Sequence, residues 1–483
     1  MMRARFLLGL ACTVTSFAAT NGSPSVAEAA KNQQKTALQA LLKQKAPVNT
    51  PDVEGMTALM WAAHWNDVEM TQMLLKAGAD PKLKSTFDDN ALYEACLNGN
   101  AAIVEALLKA GADPNMTRGE GETALMTASR SGNLDTVKAL LASGANVNAK
   151  EPWREETALM WAAAEDHPDV VKALIAAGAD VNAKSILWKW PEARKLRGGD
   201  LAVVLPDGGF SPLMFAARQG ALEPARLLLE AGADLNYKEP QGYDPLLIAI
   251  YNGHYELATL MIDKGAKVDN GALWMAIETR NMDKSDKHPA PTDYGKVKSM
   301  DMIKMLLAKG APVDGGLKSR LPQRAIMEGG GPAVGSPLYR ATKSTDVAAM
   351  RLLLENGADP KYKLARDSST LIMAAAGQGF NKESGVGGEQ KDAIEAIKML
   401  MEKGVDVNAA NDQGQTAMHF AALTGREKVI EFLYENGAKL DVKDKRGRTP
   451  YDVATGVGNG GNAEAVPEPE ALEIIQKLLA KSK

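Results

Sequence analysis

Apolar and polar positions along this chain repeat as two interleaved phrases. The first, Thr57-Ala58-Leu59-Met60-Trp61-Ala62-Ala63, returns as Thr157-Ala158-Leu159-Met160-Trp161-Ala162-Ala163, with weaker copies between and beyond. The second, Leu74-Leu75-Lys76-Ala77-Gly78-Ala79-Asp80, returns as Leu107-Leu108-Lys109-Ala110-Gly111-Ala112-Asp113. Each phrase predicts one short helix with one apolar side, too small to bury that side alone, so neighbouring units must stack.

The spacing of the phrases is 33 residues from Thr57 to Asn90 and again from Asn90 to Thr123. First-helix anchors fall at Thr57, Asn90, Thr123, Thr157, Ser211, Asp244, Gly271, Ser336, Ser369, Thr416 and Thr449. Glycine anchors follow at Gly78, Gly111, Gly144, Gly178, Gly232, Gly265, Gly310, Gly357, Gly404 and Gly437. A Thr, Ser, Asp or Asn anchor caps the first helix by accepting from an orphan backbone N–H. Proline just inside, as in Ser211-Pro212 and Thr449-Pro450, is pre-set for the first turn. Paired alanines keep that helix thin, and glycine takes the left-handed position that ends the second.

In these features the chain resembles the ankyrin-repeat family, whose T-P-L-H-x-A phrase recurs at the same period. The resemblance implies an all-α solenoid of helix-turn-helix units joined by β-hairpin-like loops. It covers roughly residues 31–483, with eleven repeats after an N-terminal half-repeat at 30–53 that has a second helix alone, Leu41-Leu42-Lys43 aligning with Leu74-Leu75-Lys76. Repeats one to four span 54–184, and repeats five to the start of seven span 209–281. The rest of repeat seven through repeat ten spans 300–446, and a capping repeat fills 447–483. Insertions interrupt the register at 185–208 and 282–299, near 315–335 and 377–390, and within the last repeat. The chain departs from the family at the histidine of the phrase, kept only at His419. Met60, Met126, Met160, Met214 and Ile372 are among its replacements. Apolar packing is expected in place of a polar cap contact there.

Composition narrows the function. The net charge of −4 and the lack of any Lys/Arg-rich block give no reason to expect nucleic acid as partner. At the N-terminus, Arg3 and Arg5 precede an apolar run from Phe6 to Ala19, and Ala27-Glu28-Ala29 fits a small-x-small cleavage rule. A signal peptide over 1–29 is expected, with Ala18 as a second site, and with it a periplasmic or secreted, monomeric protein without a stable membrane span. A lipid anchor on Cys12 fits less well, because Gly9 stands where leucine is usual. Cys96 then remains alone, in a small core slot.

No CxxC, HExxH, P-loop or GxSxG motif occurs, and the repeated Gly-Ala-Asp carboxylates read as turn formers. No catalytic residue, cofactor or metal is therefore expected. What remains is a surface. The resemblance implies a groove lined by loop tips, the residue before each anchor and the two residues after the paired alanines. Carried over, these slots hold Met56, His64, Trp65, Leu97, Arg130, Phe210, Arg218, Tyr243 and Tyr251, among others, with Trp153 on a loop tip. Trp188 and Trp190 belong to the first insertion, whereas Trp61 and Trp161 are assigned to the interior. A non-catalytic scaffold that binds another protein follows, since Trp, Tyr and Arg dominate interface energetics. An enzyme or ligand-binding protein built from the insertions and a self-assembling structural solenoid stay open as alternatives.

Overall fold

The computed structural model describes residues 24–188, 207–269, 271–281, 295–317, 335–378, 388–456 and 467–481. Among the described residues 24 helices run in twelve successive pairs. First helices pack on first helices and second helices on second helices of adjacent pairs, which makes an all-α solenoid with a continuous core. The only strand pair described is two residues long, Leu187–Trp188 with Asp207–Gly208, antiparallel. It brings the two ends of the first insertion together. Residues 189–206, which include Trp190, lie outside the described residues, as do 1–23, 282–294, 318–334, 379–387 and 457–466.

The repeated phrases fold for the reasons their chemistry suggests. Thr57, Asn90, Thr123, Thr157, Ser211, Asp244, Ser336 and Thr449 each accept a backbone N–H three residues on. The paired alanines, such as Ala62, Ala63, Ala162, Ala163, Ala216 and Ala217, have no exposed surface. In the second helices the first leucine of the pair is buried, as at Leu74, Leu107, Leu140 and Leu228, while the second is half-buried. At Gly78 an added Cβ would meet nothing, so glycine is required there by its φ of +86° rather than by space.

Loops are tied from one repeat to the next. Asp80, Asp113, Asp180 and Asp234 accept the backbone N–H two residues on, which makes them Asx turns as expected. A second device was not foreseen. The Asn115 side chain donates to Gly144 O at 3.1 Å and accepts from Asn146 N at 2.7 Å, clamping its loop to the next repeat. Asn148, Asn182 and Asn408 repeat the clamp.

Three expectations need correction. The N-terminal unit is a helix pair, not a half-repeat, because Val26–Lys31 forms a first helix with a Ser25/Glu28 capping box. Its Val26, Ala27, Ala29 and Ala30 are buried, and it packs on the first helix of repeat one. A cut after Ala29 would sever this helix. In repeat nine the cap is Thr370 rather than Ser369, which moves Met373, not Ile372, into the histidine slot. Finally, methionine in that slot is not purely apolar in effect. The cap N–H groups of Thr57, Thr123 and Thr370 lie 3.4, 3.5 and 3.4 Å from the Met60, Met126 and Met373 sulfurs. Each sulfur occupies the place of His419 Nδ1, which accepts from Thr416 N at 3.1 Å. A thioether is a weak acceptor, so the contact is softened rather than lost.

Candidate functional site

The first helices and the hairpins before them make one face of the solenoid, and its chemistry follows from two slots. Counting from the cap, the fourth residue of one repeat faces the seventh residue of the repeat before it. His64 thus reaches Glu94, with Nδ1 3.0 Å from Oε2. The Arg130 guanidinium lies over the Trp161 ring at 4.8 Å, and Arg340 pairs with Glu278. One geometric relation therefore carries three chemistries along the stack.

In the first four repeats the face is aromatic and held by hairpin carboxylates. Trp61 Nε1–H donates to Asp52 at 2.8 Å, and Trp161 Nε1–H donates to Glu156 at 2.8 Å. Both indoles were expected inside: Trp61 is buried in the core, at 9% exposure, whereas Trp161 is only half-buried, its N–H reaching a carboxylate on the hairpin. Trp65 stacks on Trp61 with centroids 6.1 Å apart, and His64 meets Trp65 edge-on at 4.9 Å. Trp65 Nε1–H is fixed by Lys31 O at 3.0 Å, and the Lys31 ammonium sits 5.1 Å from the Trp61 ring. In repeat two, Arg118 lies over the Tyr93 ring and donates to its hydroxyl at 2.6 Å. Burial pushes the Tyr93 hydroxyl above its ordinary range, so it stays a neutral phenol.

The proposed contact residues separate into two groups. His64, Trp65, Leu97, Arg130, Trp153 and Arg218 are exposed, and Met56 and Phe210 are half-buried. Arg218 lies 5.0 Å from the Phe215 ring and 5.9 Å from that of Phe210. Tyr243 and Tyr251 are buried, at 5% and 9% exposure, and leave the set. The helix Pro245–Tyr251 is apolar and buried along its whole length, so its last residue joins the core. Tyr243 is turned under by its hairpin, where its N–H donates to the Glu239 carboxylate and its carbonyl accepts from Glu239 N. Trp188 is described through its backbone pairing alone, and Trp190 lies outside the described residues.

Two exposed apolar side chains went unrecognised in the sequence, Val53 at 97% and Phe87 at 74% exposure, both on hairpin tips. The signal for them was available: each stands in a loop phrase where the fold has no use for an apolar residue. Between the next two tips lies an open cleft of about 380 Å³, lined by Gly119, Glu120, Pro152 and Trp153.

No described group of three His, Cys, Asp or Glu side chains converges as a metal site. Cys96 is buried, and burial pushes its thiol up, away from the reactive thiolate. His167 and His254 each hold a carbonyl of the preceding repeat, Arg130 O at 3.0 Å and Arg218 O at 3.2 Å. No described helix is long and apolar enough to cross a membrane.

Comparison with known proteins agrees with this geometry. A family model for ankyrin repeats, in three copies, matches residues 4–85, 92–185, 194–272, 338–444 and 386–467. A Caenorhabditis elegans homolog of transient receptor potential cation channel subfamily A member 1 is 29% identical over 25% of this chain and 9% of its own length. Human SH3 and multiple ankyrin repeat domains protein 2 is 23% identical over 37% of this chain and 10% of its length. The chain thus spans about a tenth of these relatives. Among solved structures, the human ASB11 ankyrin repeat domain is 24% identical, covering 50% of this chain and 99% of that one at a TM-score of 0.41. Ankyrin repeats are in general protein-interaction scaffolds without catalytic chemistry. By the extent of the match, the chain belongs to the ankyrin-repeat family.

Proposed function

We propose that this protein is a non-catalytic scaffold that binds another protein outside the cytoplasm, through the first-helix face and hairpin tips of repeats one to four. One observation carries the reading. The large apolar side chains exposed among the described residues are Val53, Trp65, Phe87, Leu97, Trp153 and Leu423. All stand on hairpin tips or in the slots after the paired alanines, and all but Leu423 fall in repeats one to four or, for Val53, on the hairpin that leads into repeat one. Apolar exposure confined to one face is the mark of an interaction surface. Trp65 is also held in place by stacking and by its bond to Lys31 O, so little ordering cost remains on association.

Export rests on the basic start and apolar run before Val26. Burial of the Val26–Lys31 helix favours processing upstream of it, at Ala18, over Ala29. The test is capture from the periplasmic and secreted fractions by wild type and by the Trp65→Ser/Phe87→Ser/Leu97→Ser variant. At least about a tenfold loss of the captured protein is expected, because anchors of this kind dominate affinity. The Lys109→Ala control, on a second helix, is expected to capture as wild type does. Equal capture by all three proteins would remove the scaffold reading.

A further inference from the structure

We infer that the groove of the first two repeats holds a basic, amphipathic α-helix of the bound protein, lying along the stack. The inference rests on the scaffold reading and specifies the segment that this surface recognises. The groove has two walls, one made by the hairpins and one by the exposed side of the first helices. At repeat one, Val53 stands on the hairpin wall and Trp65 at the end of the first helix. At repeat two, Phe87 and Leu97 take the same places. Each repeat therefore offers one exposed apolar side chain on each wall. At repeat three these places hold Glu120 and Arg130, so the apolar stretch is two repeats long.

Bonds tie both walls from one repeat to the next. The Thr86 hydroxyl on the second tip donates to Glu54 O on the first at 2.8 Å. At the helix ends the Asn98 amide donates to Ala63 O and His64 O, both at 3.0 Å. Adjacent first helices pack directly on each other, which sets successive repeats about 10 Å apart. Seven residues of α-helix rise about 10.5 Å, and a heptad brings two apolar side chains to one stripe. One heptad thus answers one repeat, with one side chain for each wall. An extended strand covers about 10 Å in three residues, which turns the matching side chains to opposite faces. A polyproline helix covers about 9 Å in three residues and returns only one side chain to the face.

Charge sets the polar side of the bound helix. Lys31, Lys84, Arg118 and Arg130 on this face already pair with Glu54, Asp88, Asp89 and Glu122. Asp52 and Glu94 add negative charge in the angle between the walls. Asp52 lies 4.0 Å from the already paired Lys31 and accepts from the Trp61 indole, while Glu94 meets His64. Their side chains are only 3% and 10% exposed, so apolar walls focus their field into the groove, and lysines flanking the apolar stripe complement it.

The probe is a blocked, dye-labelled peptide of two Leu-Ala-Lys-Leu-Ala-Lys-Lys heptads, added to the full chain and followed by anisotropy. One control peptide has the same composition with its leucines at alternate positions, and another has glutamate at every lysine. Saturable binding of the heptad peptide is expected, with a gain of helical circular dichroism. It should weaken at least about tenfold in Trp65→Ser/Phe87→Ser/Leu97→Ser, and at least about fivefold in Phe87→Ser/Leu97→Ser, which leaves the Trp61–Trp65 stack untouched. Both control peptides should bind at least about tenfold more weakly than the heptad peptide. Equal binding of either control, binding without a gain of helix, or full affinity in both variants overturns the inference. Should the heptad peptide fail to bind while protein capture still depends on Trp65, Phe87 and Leu97, the helix site falls and the scaffold stands. Loss of that dependence removes the scaffold reading, whatever the peptide does.

Discussion

Arg130 and Trp161 belong to different repeats, yet the guanidinium of one rests 4.8 Å from the ring centroid of the other. Arg130 also pairs with Glu122 at 3.3 Å, and Trp161 is anchored to Glu156, so each partner is positioned before the contact forms. The contact spans the junction between repeats three and four. A double-mutant cycle on Arg130→Ala and Trp161→Ala should therefore return a coupling of about 0.5–1 kcal/mol in chemical denaturation, the range of an exposed cation–π pair. Additive losses would mean that the two side chains act independently on the stack.

The N-terminus gives a prediction of a different kind. Val26, Ala27, Ala29 and Ala30 bury against the first helix of repeat one, so the end of the solenoid is capped by a complete helix. If the chain is exported as proposed, its mature form is expected to begin just after Ala18, upstream of Ser25. Truncation to Ala30 would expose the first-helix surface of repeat one and should lower the denaturation midpoint, because an uncapped repeat fails first. N-terminal sequencing of exported protein decides this, and a mature start at Ala30 would contradict it.

The stack itself was legible because most repeats obey the same local rules. Cap, small paired residues, leucine pair and glycine recur in order, and each has a local cause, although repeat seven begins at Gly271 without a side-chain cap. Position in the repeat was legible too, but surroundings were not. Tyr251 occupies the same slot as His64, and only the tertiary neighbours make one buried and the other exposed. Trp161 was misjudged because the acceptor of its N–H group, Glu156, sits on a hairpin whose fold the repeat phrase does not specify. Val53 and Phe87 were legible in principle, as apolar residues in loop phrases where the fold has no use for one, but no recurring residue marks the hairpin tips on which they stand. The one-residue slip at Ser369-Thr370 arose where two adjacent residues are both able caps.

Packing between first helices sets the next expectation. Ala162 and Ala217 have no exposed surface and lie in first helices of repeats four and five, which pack directly on each other. Replacing either with leucine adds methylenes that the closely spaced helices have no room for. A cost of about 1–3 kcal/mol is expected for each, measured from urea midpoints at constant m. The same change at Ala77, which follows a second helix at an exposed position, should leave the midpoint within about 0.5 kcal/mol.

His419 ties stability to pH through a single tautomer. Its ring is 1% exposed, and it bridges two backbone groups of opposite kind. Nδ1 accepts from Thr416 N at 3.1 Å, while Nε2 must donate to the Arg448 carbonyl at 3.1 Å. Only the neutral ring with its proton on Nε2 satisfies both, and a proton on Nδ1 would face a donor. Burial holds the pKa of His419 below the ordinary histidine value, and His254, bonded to Arg218 O, is lowered in the same way. The sign follows: the unfolded chain takes up these protons first, so the stability they contribute is complete above about pH 6.5. It declines as the pH falls from there toward the lower folded values. Thermal midpoints should therefore drop between about pH 7.5 and about pH 5, and the drop should shrink in a His419→Asn/His254→Asn variant, whose amides do not titrate there. An unchanged slope in that variant would assign the pH dependence to other groups and leave the neutral-ring cap at Thr416 without thermodynamic weight.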